Sequence, residues 1–555
     1  MTRNLRIYLL SSVLMACNQL YSQALLDRVN RSLSPTETRF HANNADFALA
    51  GAKTAYANPA FTRWNNLNDT ATHRRSAIVY AGLAGADSKG DFIPYEGSGS
   101  TDYRAGAYGE YDTPKSGTLS GCIQYAQGKH RHIGWSAMRL PELYLPYIST
   151  DSCGGDFKFD TYFAEGNYAF TLNQWTLGMK ASFYGEQAYR LTDPRALNNT
   201  TWLRFNAGVA RHLGHHLLLL DAGYGRNKQH MRLRYWRPGQ QDRFFVCYGF
   251  GLYDTRQSTV SFGKSRMYYV DEFNARLQYL STQAGPLHIH AALGYAFAHM
   301  KTEESDIYNL YESRSHRLSP LLRLTYAFRG DWQLELAATG DIMLRKGYEN
   351  IIEEYLIDRE NNIYDFRTID TRQHYSCNTG RFSGALKASK RLARFEISLQ
   401  GGATTELFEE KYKANNHKIR VRTLTPHVKL GIDRQGIRDD IGLSLLFARQ
   451  HVADHVYDVV LQHGGIERLD FQHAFAPYAF RCAELHEIAV DITWRHRLKK
   501  MDVGLNAKLY LADGDRKSDV SYSGTIGFPA TAPMLKPMPD KHQERWAALT
   551  AFVSF

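Results

Sequence analysis

Side chains in this chain alternate strictly, and the alternation recurs in pairs. From Ala489 to Leu498, one face takes Val490, Ile492, Trp494 and Leu498, and the other takes Asp491, Thr493, Arg495 and Arg497. Lys499-Lys500 turns the chain, and Val503, Leu505, Ala507, Leu509 and Leu511 then alternate with Gly504, Asn506, Lys508 and Tyr510. Leu322 to Phe328 and Trp332 to Ile342 repeat the pattern around Arg329-Gly330-Asp331, and Leu203 to Val209 and Leu218 to Tyr224 repeat it around Gly214-His215-His216. A period of two is strand geometry, because successive side chains point to opposite faces. One face apolar and one polar fits a lipid-facing wall around a wet lumen, or a soluble sheet with a core side and a water side.

Connection lengths separate these two. Short turns fall at 113–117, 173–174, 214–216, 284–286, 329–331, 391–394, 434–436 and 499–500. Between them lie polar connections at 85–102, 128–157, 188–200, 233–269, 302–315, 347–379, 411–420, 452–484 and 512–545. Tight turns at one end and long loops at the other are the asymmetry of outer-membrane barrels, and a soluble sandwich has no reason to alternate so regularly. The expected fold is all-β: a single transmembrane antiparallel β-barrel of about 18 strands, range 14 to 18, with short periplasmic turns and long extracellular loops. The last strand supports it. Phe555, Val553, Ala551, Leu549 and Ala547 form an apolar row opposite Ser554, Phe552, Thr550, Ala548 and Trp546. A closing strand ending on an aromatic residue is the expected signal for the barrel-assembly machinery, carried by Phe555, Val553, Ala551 and Leu549.

The amino-terminal residues read as an export signal over 1–24. Arg3 and Arg6 precede an apolar run from Ile7 to Ala16, and Ser22-Gln23-Ala24 offers small residues for cleavage. The alternative is lipidation at Cys17, since Leu14-Met15-Ala16-Cys17 is similar to a lipobox. Residues 25–74 precede the first clear strand, near Ser76 to Leu83. They read as a periplasmic segment packed on the barrel mouth, or as a plug entering the lumen; 75–555 is the barrel.

No later stretch reaches the roughly 20 apolar residues of a membrane helix. The mean hydropathy of −0.44 is compatible with a barrel, where only alternate residues meet lipid. Aromatics at 13% suit the girdles at the two membrane interfaces. The formal charge of +11 is scattered, with no Lys/Arg tract for nucleic acid, and it fits lipopolysaccharide phosphates or anionic solutes. Cys122 and Cys153 are a possible disulfide in an oxidising compartment. Metal, cofactor and catalytic signatures are missing, so no enzyme is expected. His212, His215 and His216 sit at a turn, His451 and His455 in an expected loop, and Asp439-Asp440 at a strand start where both would be solvated. On the inward faces the lumen would receive Arg204, Asn206, Asp221, Arg323, Glu335, Asp341, Lys429, Asp491, Arg495, Asn506 and Lys508. Their mixed signs read either as cross-lumen ion pairs or as a selectivity site.

Ala57-Asn58-Pro59-Ala60 before the first strand, and Tyr189-Arg190-Leu191-Thr192-Asp193-Pro194-Arg195 opening into a strand, resemble uncharacterised outer-membrane β-barrel families of Bacteroidota. The Asn-Pro-Ala element is also similar to one in fatty-acid-transporter-type and type IX secretion-associated barrels. The resemblance implies a Gram-negative outer-membrane location and no particular activity. The expected function is a passive channel or transporter for an unidentified solute. The alternative is a surface or secretion scaffold that binds a protein partner through its long loops.

Overall fold

A computed structural model describes residues 34–67, 75–90, 92–113, 115–151, 153–234, 245–250, 253–254, 265–281, 285–304, 309–328, 330–459, 471–520 and 541–555. The expected signal at 1–24, with Ser22, Ala24 and Cys17, lies outside them. Eighteen strands form one antiparallel sheet: β1 Arg75–Gly90, β2 Gly99–Thr113, β3 Gly117–Ile133, β4 Gly155–Leu172, β5 Trp175–Arg190, β6 Arg195–Leu213, β7 His216–Arg234, β8 Ser265–Ser281, β9 Leu287–Glu304, β10 Tyr311–Ala327, β11 Trp332–Asp358, β12 Ile363–Leu392, β13 Phe395–Tyr412, β14 His417–Gln435, β15 Asp439–Arg449 continued as His451–Asp458, β16 Ala483–Arg497, β17 Asp502–Arg516 and β18 Lys541–Ser554. The two parts of β15 both pair with β14 and are one strand interrupted at Gln450. Each strand pairs with its sequence neighbours, and β18 pairs with β1 from Ile78↔Ser554 to Gly90↔His542, so the sheet closes. Closure leaves no edge strand, as a sheet in lipid requires.

The outward row is apolar. Val79, Leu83, Leu203, Phe205, Leu277, Leu293, Leu399, Leu430, Leu443 and Leu549 are all exposed in the isolated chain. Outward aromatics stand at two levels: Tyr103, Tyr125, Tyr162, Tyr224 and Tyr295 above, and Tyr111, Tyr168, Trp175, Tyr326, Trp332 and Phe395 near the short turns. On β2 the two levels are Tyr103 and Tyr111, which strand rise and tilt place about 20 Å apart along the axis. That matches the apolar band of an outer-membrane barrel. Among the described residues no helix is long and apolar enough to cross a membrane; the strands cross.

All eight expected short turns join strands at one end of the barrel. At the other end several stretches expected as loops are mostly strand. Only 191–194 separates β5 from β6, and only 413–416 separates β13 from β14. The 347–379 stretch is a hairpin in which β11 and β12 reach 27 and 30 residues. A barrel needs only about ten residues per crossing, so these extensions leave the lipid zone. There nothing demands an apolar face, and their polar sequence reads as loop.

Cys122 and Cys153 are not bridged. Cys122 faces inward in the middle of β3, whereas Cys153 lies beside Gly155, which pairs with Ile133 at the far end of that strand. Eleven residues of strand, about 35 Å, far exceed disulfide reach. Among the described residues no group of three or more His, Cys, Asp or Glu is placed to hold a metal.

Candidate functional site

The lumen is occupied by the chain itself, and the amino-terminal segment supplies much of the filling. Helix α1 (Pro35–Asn43) starts at Ser34, whose hydroxyl accepts the Glu37 N–H at 3.2 Å, with Pro35 in the first turn. Ser34-Pro35-Thr36-Glu37 is a capping-box sequence, the local signal that marks this helix. Helix α2 (Phe47–Ala57) starts at Asp46, whose carboxylate accepts the Leu49 N–H at 2.9 Å; α3 (Phe61–Leu67) follows.

The segment touches inward-facing residues on many strands. Phe40 stacks on Trp546 of β18, centroids 4.6 Å apart, and meets Tyr510 of β17 edge-on. Arg104 of β2 donates both guanidinium arms to Glu37 at 2.8 and 2.7 Å. Arg39 bonds Glu544 of β18 and, at 2.7 Å, Glu96. Arg381 of β12 donates to the Ala42 carbonyl at 2.7 Å, Gln400 of β13 to Ala45 at 3.0 Å, and Lys429 of β14 to Asn44 at 3.1 Å. Gln278 of β8 reaches the Thr54 carbonyl at 3.0 Å, and Arg63 donates to Asp112 of β2 at 2.7 Å. Burial acts to raise the Glu37 carboxyl, but Arg104 and His41 outweigh it and hold it down to about 2. Burial likewise acts to raise Asp46, and Lys429 with the Leu49 N–H holds it low.

Asn58-Pro59-Ala60 has a specific seat. Asn58 is fully buried, and its side-chain oxygen accepts the Ala60 N–H at 2.9 Å. The turn lies on Gly178 and Gly208, which face each other across β5 and β6. A Cβ at Gly178 would meet the Ala60 nitrogen at 2.5 Å, and one at Gly208 would meet the Asn58 oxygen at 2.4 Å. Only a wall without side chains at this pair lets the segment's backbone approach so closely.

Chain from the long-connection end fills the other half. Residues 134–151 fold inward, burying Trp135, Met138, Tyr144, Tyr147 and Ile148 against Phe157, Phe159, Met231 and Tyr268 on the wall. Three short strands, Ser149–Thr150, Phe245–Cys247 and Tyr253–Asp254, form a small sheet there. Arg139 pairs with Glu186, Asp151 accepts from Arg190 at 2.6 Å, and Arg345 donates to the Leu145 carbonyl at 3.1 Å. Helix α4 (Phe471–Arg481) packs Phe475, Tyr478 and Ala479 with Ile419, Val421 and Tyr457 in a second apolar cluster.

The expected lumen charges all point inward, but they pair with the adjacent or next-but-one strand or with the amino-terminal segment rather than across an open lumen. Arg204 pairs with Glu272 at 3.1 Å, Arg323 with Glu335 at 2.8 Å, and Asp341 takes both arms of Arg317 at 2.6 and 2.5 Å. Lys429 lies 3.9 Å from Asp46, and Lys508 lies 3.9 Å from Asp491, which also accepts from Asn506 at 2.8 Å. Asn206 donates to Asn274 at 3.0 Å, and Asp221 is buried facing Arg276 and Lys180. Arg495 donates twice to Asp440, at 3.1 and 2.5 Å, and Arg497 adds a third bond at 2.5 Å. Asp440 is therefore buried and triply bonded, not solvated. Asp439 accepts from Trp494 at 3.3 Å and bonds His496. His451 and His455 lie on β15, where His455 bonds the Tyr478 hydroxyl at 2.7 Å. His216 bonds the Tyr279 hydroxyl at 2.7 Å at the short-turn rim, beside His212 and His215. A wet space remains at mid-height, where the Arg317–Asp341 side chains stay 58% and 38% exposed and Arg381–Glu406 26% and 42%.

Residues 68–549 match the family of unknown function DUF6850. The chain belongs to that family. No curated protein matches the sequence. Among solved structures, the chain is similar to the ferric yersiniabactin uptake receptor FyuA from Yersinia pestis, at 9% identity and TM-score 0.42 over 87% of this chain and 80% of that one. It is also similar to the copper transporter OprC, at 10% identity and TM-score 0.39 over 86% and 80%. The siderophore receptor PiuA from Acinetobacter baumannii follows, at 8% identity and TM-score 0.38 over 86% and 82%. Likenesses this remote bear on neither solute nor mechanism; the barrel rests on its own closed register and apolar belt.

Proposed function

We propose that this protein is a gated outer-membrane transporter for a small polar solute, with residues 34–67 as its internal gate. The carrying observation is how that segment is held. Ion pairs and hydrogen bonds to backbone carbonyls fix α1 and α2 to the wall, and a short turn rests in the Gly178–Gly208 notch. Parting the buried Glu37–Arg104 pair costs several kcal/mol until water re-solvates both partners, so the segment shifts rarely, and it does so while the sheet stays closed. Passage is passive on this reading, with selectivity set by the mid-height Arg and carboxylate side chains.

The test compares parent protein with Gly208→Val in planar bilayers. Valine suits a strand, and its Cβ displaces Asn58. The parent should give rare openings, and the variant should give frequent steps that scale with salt. Absence of steps from both proteins, with heat-modifiable migration showing both folded, would overturn the reading.

One observation favours a second reading, the scaffold. Beyond Glu349 and Tyr375, where β10 and β13 end, the β11–β12 hairpin continues with no described strand paired to its outer edges. Its far end exposes Tyr355, Leu356, Ile357, Ile363 and Tyr364. Large apolar side chains clustered on a projecting element are typical of protein-docking anchors. A silent barrel whose hairpin crosslinks to one defined protein would favour the scaffold.

A further inference from the structure

The outer wall carries an apolar groove floored by small residues. On β1 to β5, Ala77, Gly109, Gly121, Gly166 and Ala181 stand in one cross-strand row, each the register partner of the next, and all face lipid. Phe205 of β6 closes the row. The floor of small residues opens an apolar groove of about 600 Å³, and a second groove of about 680 Å³ shares Gly109 and Gly121 with it and runs on to Arg75 and Phe555. Its banks are large: Tyr111 and Tyr168 stand on the rim side, Ile123 and Phe183 toward the bilayer centre.

Length and direction identify the occupant. Five interstrand steps of about 4.8 Å give about 24 Å. With strands tilted by about 40°, the row climbs about 15 Å from the short-turn rim, half of the roughly 30 Å hydrocarbon core. The groove therefore crosses one leaflet. At its rim end Arg75 packs over the Tyr111 ring at 5.1 Å and remains exposed. An apolar channel one leaflet long, with a guanidinium at its interfacial end, matches one acyl chain carrying a phosphate headgroup.

We propose that this groove binds a glycerophospholipid of the short-turn leaflet, an acyl chain lying along Gly109–Gly121–Gly166 and its phosphate on Arg75. Cβ atoms at Gly109 and Gly166 would meet nothing within 4 Å, so both positions accept larger residues without disturbing the sheet, whereas one at Gly121 would meet the Glu165 carbonyl at 2.9 Å. The test uses the full chain in detergent, titrated with palmitoyl-oleoyl phosphatidylglycerol or with the diacylglycerol of the same chains, and read by native mass spectrometry. The parent should retain one phospholipid. Gly109→Leu/Gly166→Leu should need about tenfold more of either lipid for equal occupancy. Arg75→Gln should weaken the phospholipid severalfold and leave the diacylglycerol unchanged. Equal retention by parent and double-leucine variant, both heat-modifiable, would overturn the proposal. So would an Arg75→Gln effect equal for both lipids, or a dimer of this chain that the leucines abolish while lipid retention persists.

Discussion

Glu37 shows how a single residue ties the internal segment to the wall. Its carboxylate accepts two bonds from Arg104, which also bonds Asp102, while His41 stands one helical turn away. These groups outweigh burial and depress its pKa to about 2. A carboxyl depressed in the folded state contributes stability that is complete above its ordinary pKa, near 4.5. That contribution is lost as pH falls through the folded value. Docking of α1 should therefore be insensitive to pH from neutral down to about 4.5 and weaken between there and about 2. Trp546, stacked on Phe40, reports it: its emission should shift over that window, and Glu37→Gln should flatten the shift. An unchanged acid transition in the glutamine variant would show that another group carries it. Little of this was legible beforehand. The capping box marks the helix, but Arg104 is one basic residue among many until β2 brings it opposite Glu37.

At the scale of elements, the β11–β12 hairpin and the barrel strands obey different constraints. Barrel strands are fixed on both edges and by lipid, whereas beyond Asn350, which still bonds Asn309, and Ile352, which packs on the internal cluster, the hairpin pairs only with itself, and its ladder is irregular at Ile351/Ile352 and Leu356/Asp358. A two-stranded ribbon in water is marginally stable. Trypsin should therefore cut the folded protein first at Arg359 and Arg367, leaving heat-modifiable migration intact. Replacing 351–372 with a short Gly/Ser turn should change barrel stability by no more than about 0.5 kcal/mol. First cleavage within β1–β10 would refute this ranking. The sequence showed the hairpin only as a polar stretch, because outside lipid the period-two signal loses its apolar face.

For the whole molecule, closure depends on the β1–β18 seam. Its last bonds run from the Phe555 N–H to the Ala77 carbonyl at 2.8 Å and from the Ala77 N–H to the Phe555 carbonyl at 3.3 Å. Each contributes about 1 kcal/mol, and the exposed Phe555 ring adds apolar surface at the rim. Deleting Phe555 should lower the amount of folded barrel in the outer membrane severalfold, measured by the heat-modifiable fraction. Wild-type levels would show that the terminal residue is dispensable for assembly.

The sequence by itself determined the closed sheet and its lipid face, and bounded the strand number at 14 to 18. Alternation and connection length are local properties, and a bilayer accepts only a strand arrangement that satisfies every backbone group. Tertiary structure alone decided what lies inside. Inward side chains answer to whatever the lumen holds, so Trp546 and Phe552 are buried there although the pattern assigns their row to water, and the acids and bases of the wall find partners on nearby strands and on the amino-terminal segment. Those pairings join residues from a dozen to several hundred positions apart, and no local pattern records them.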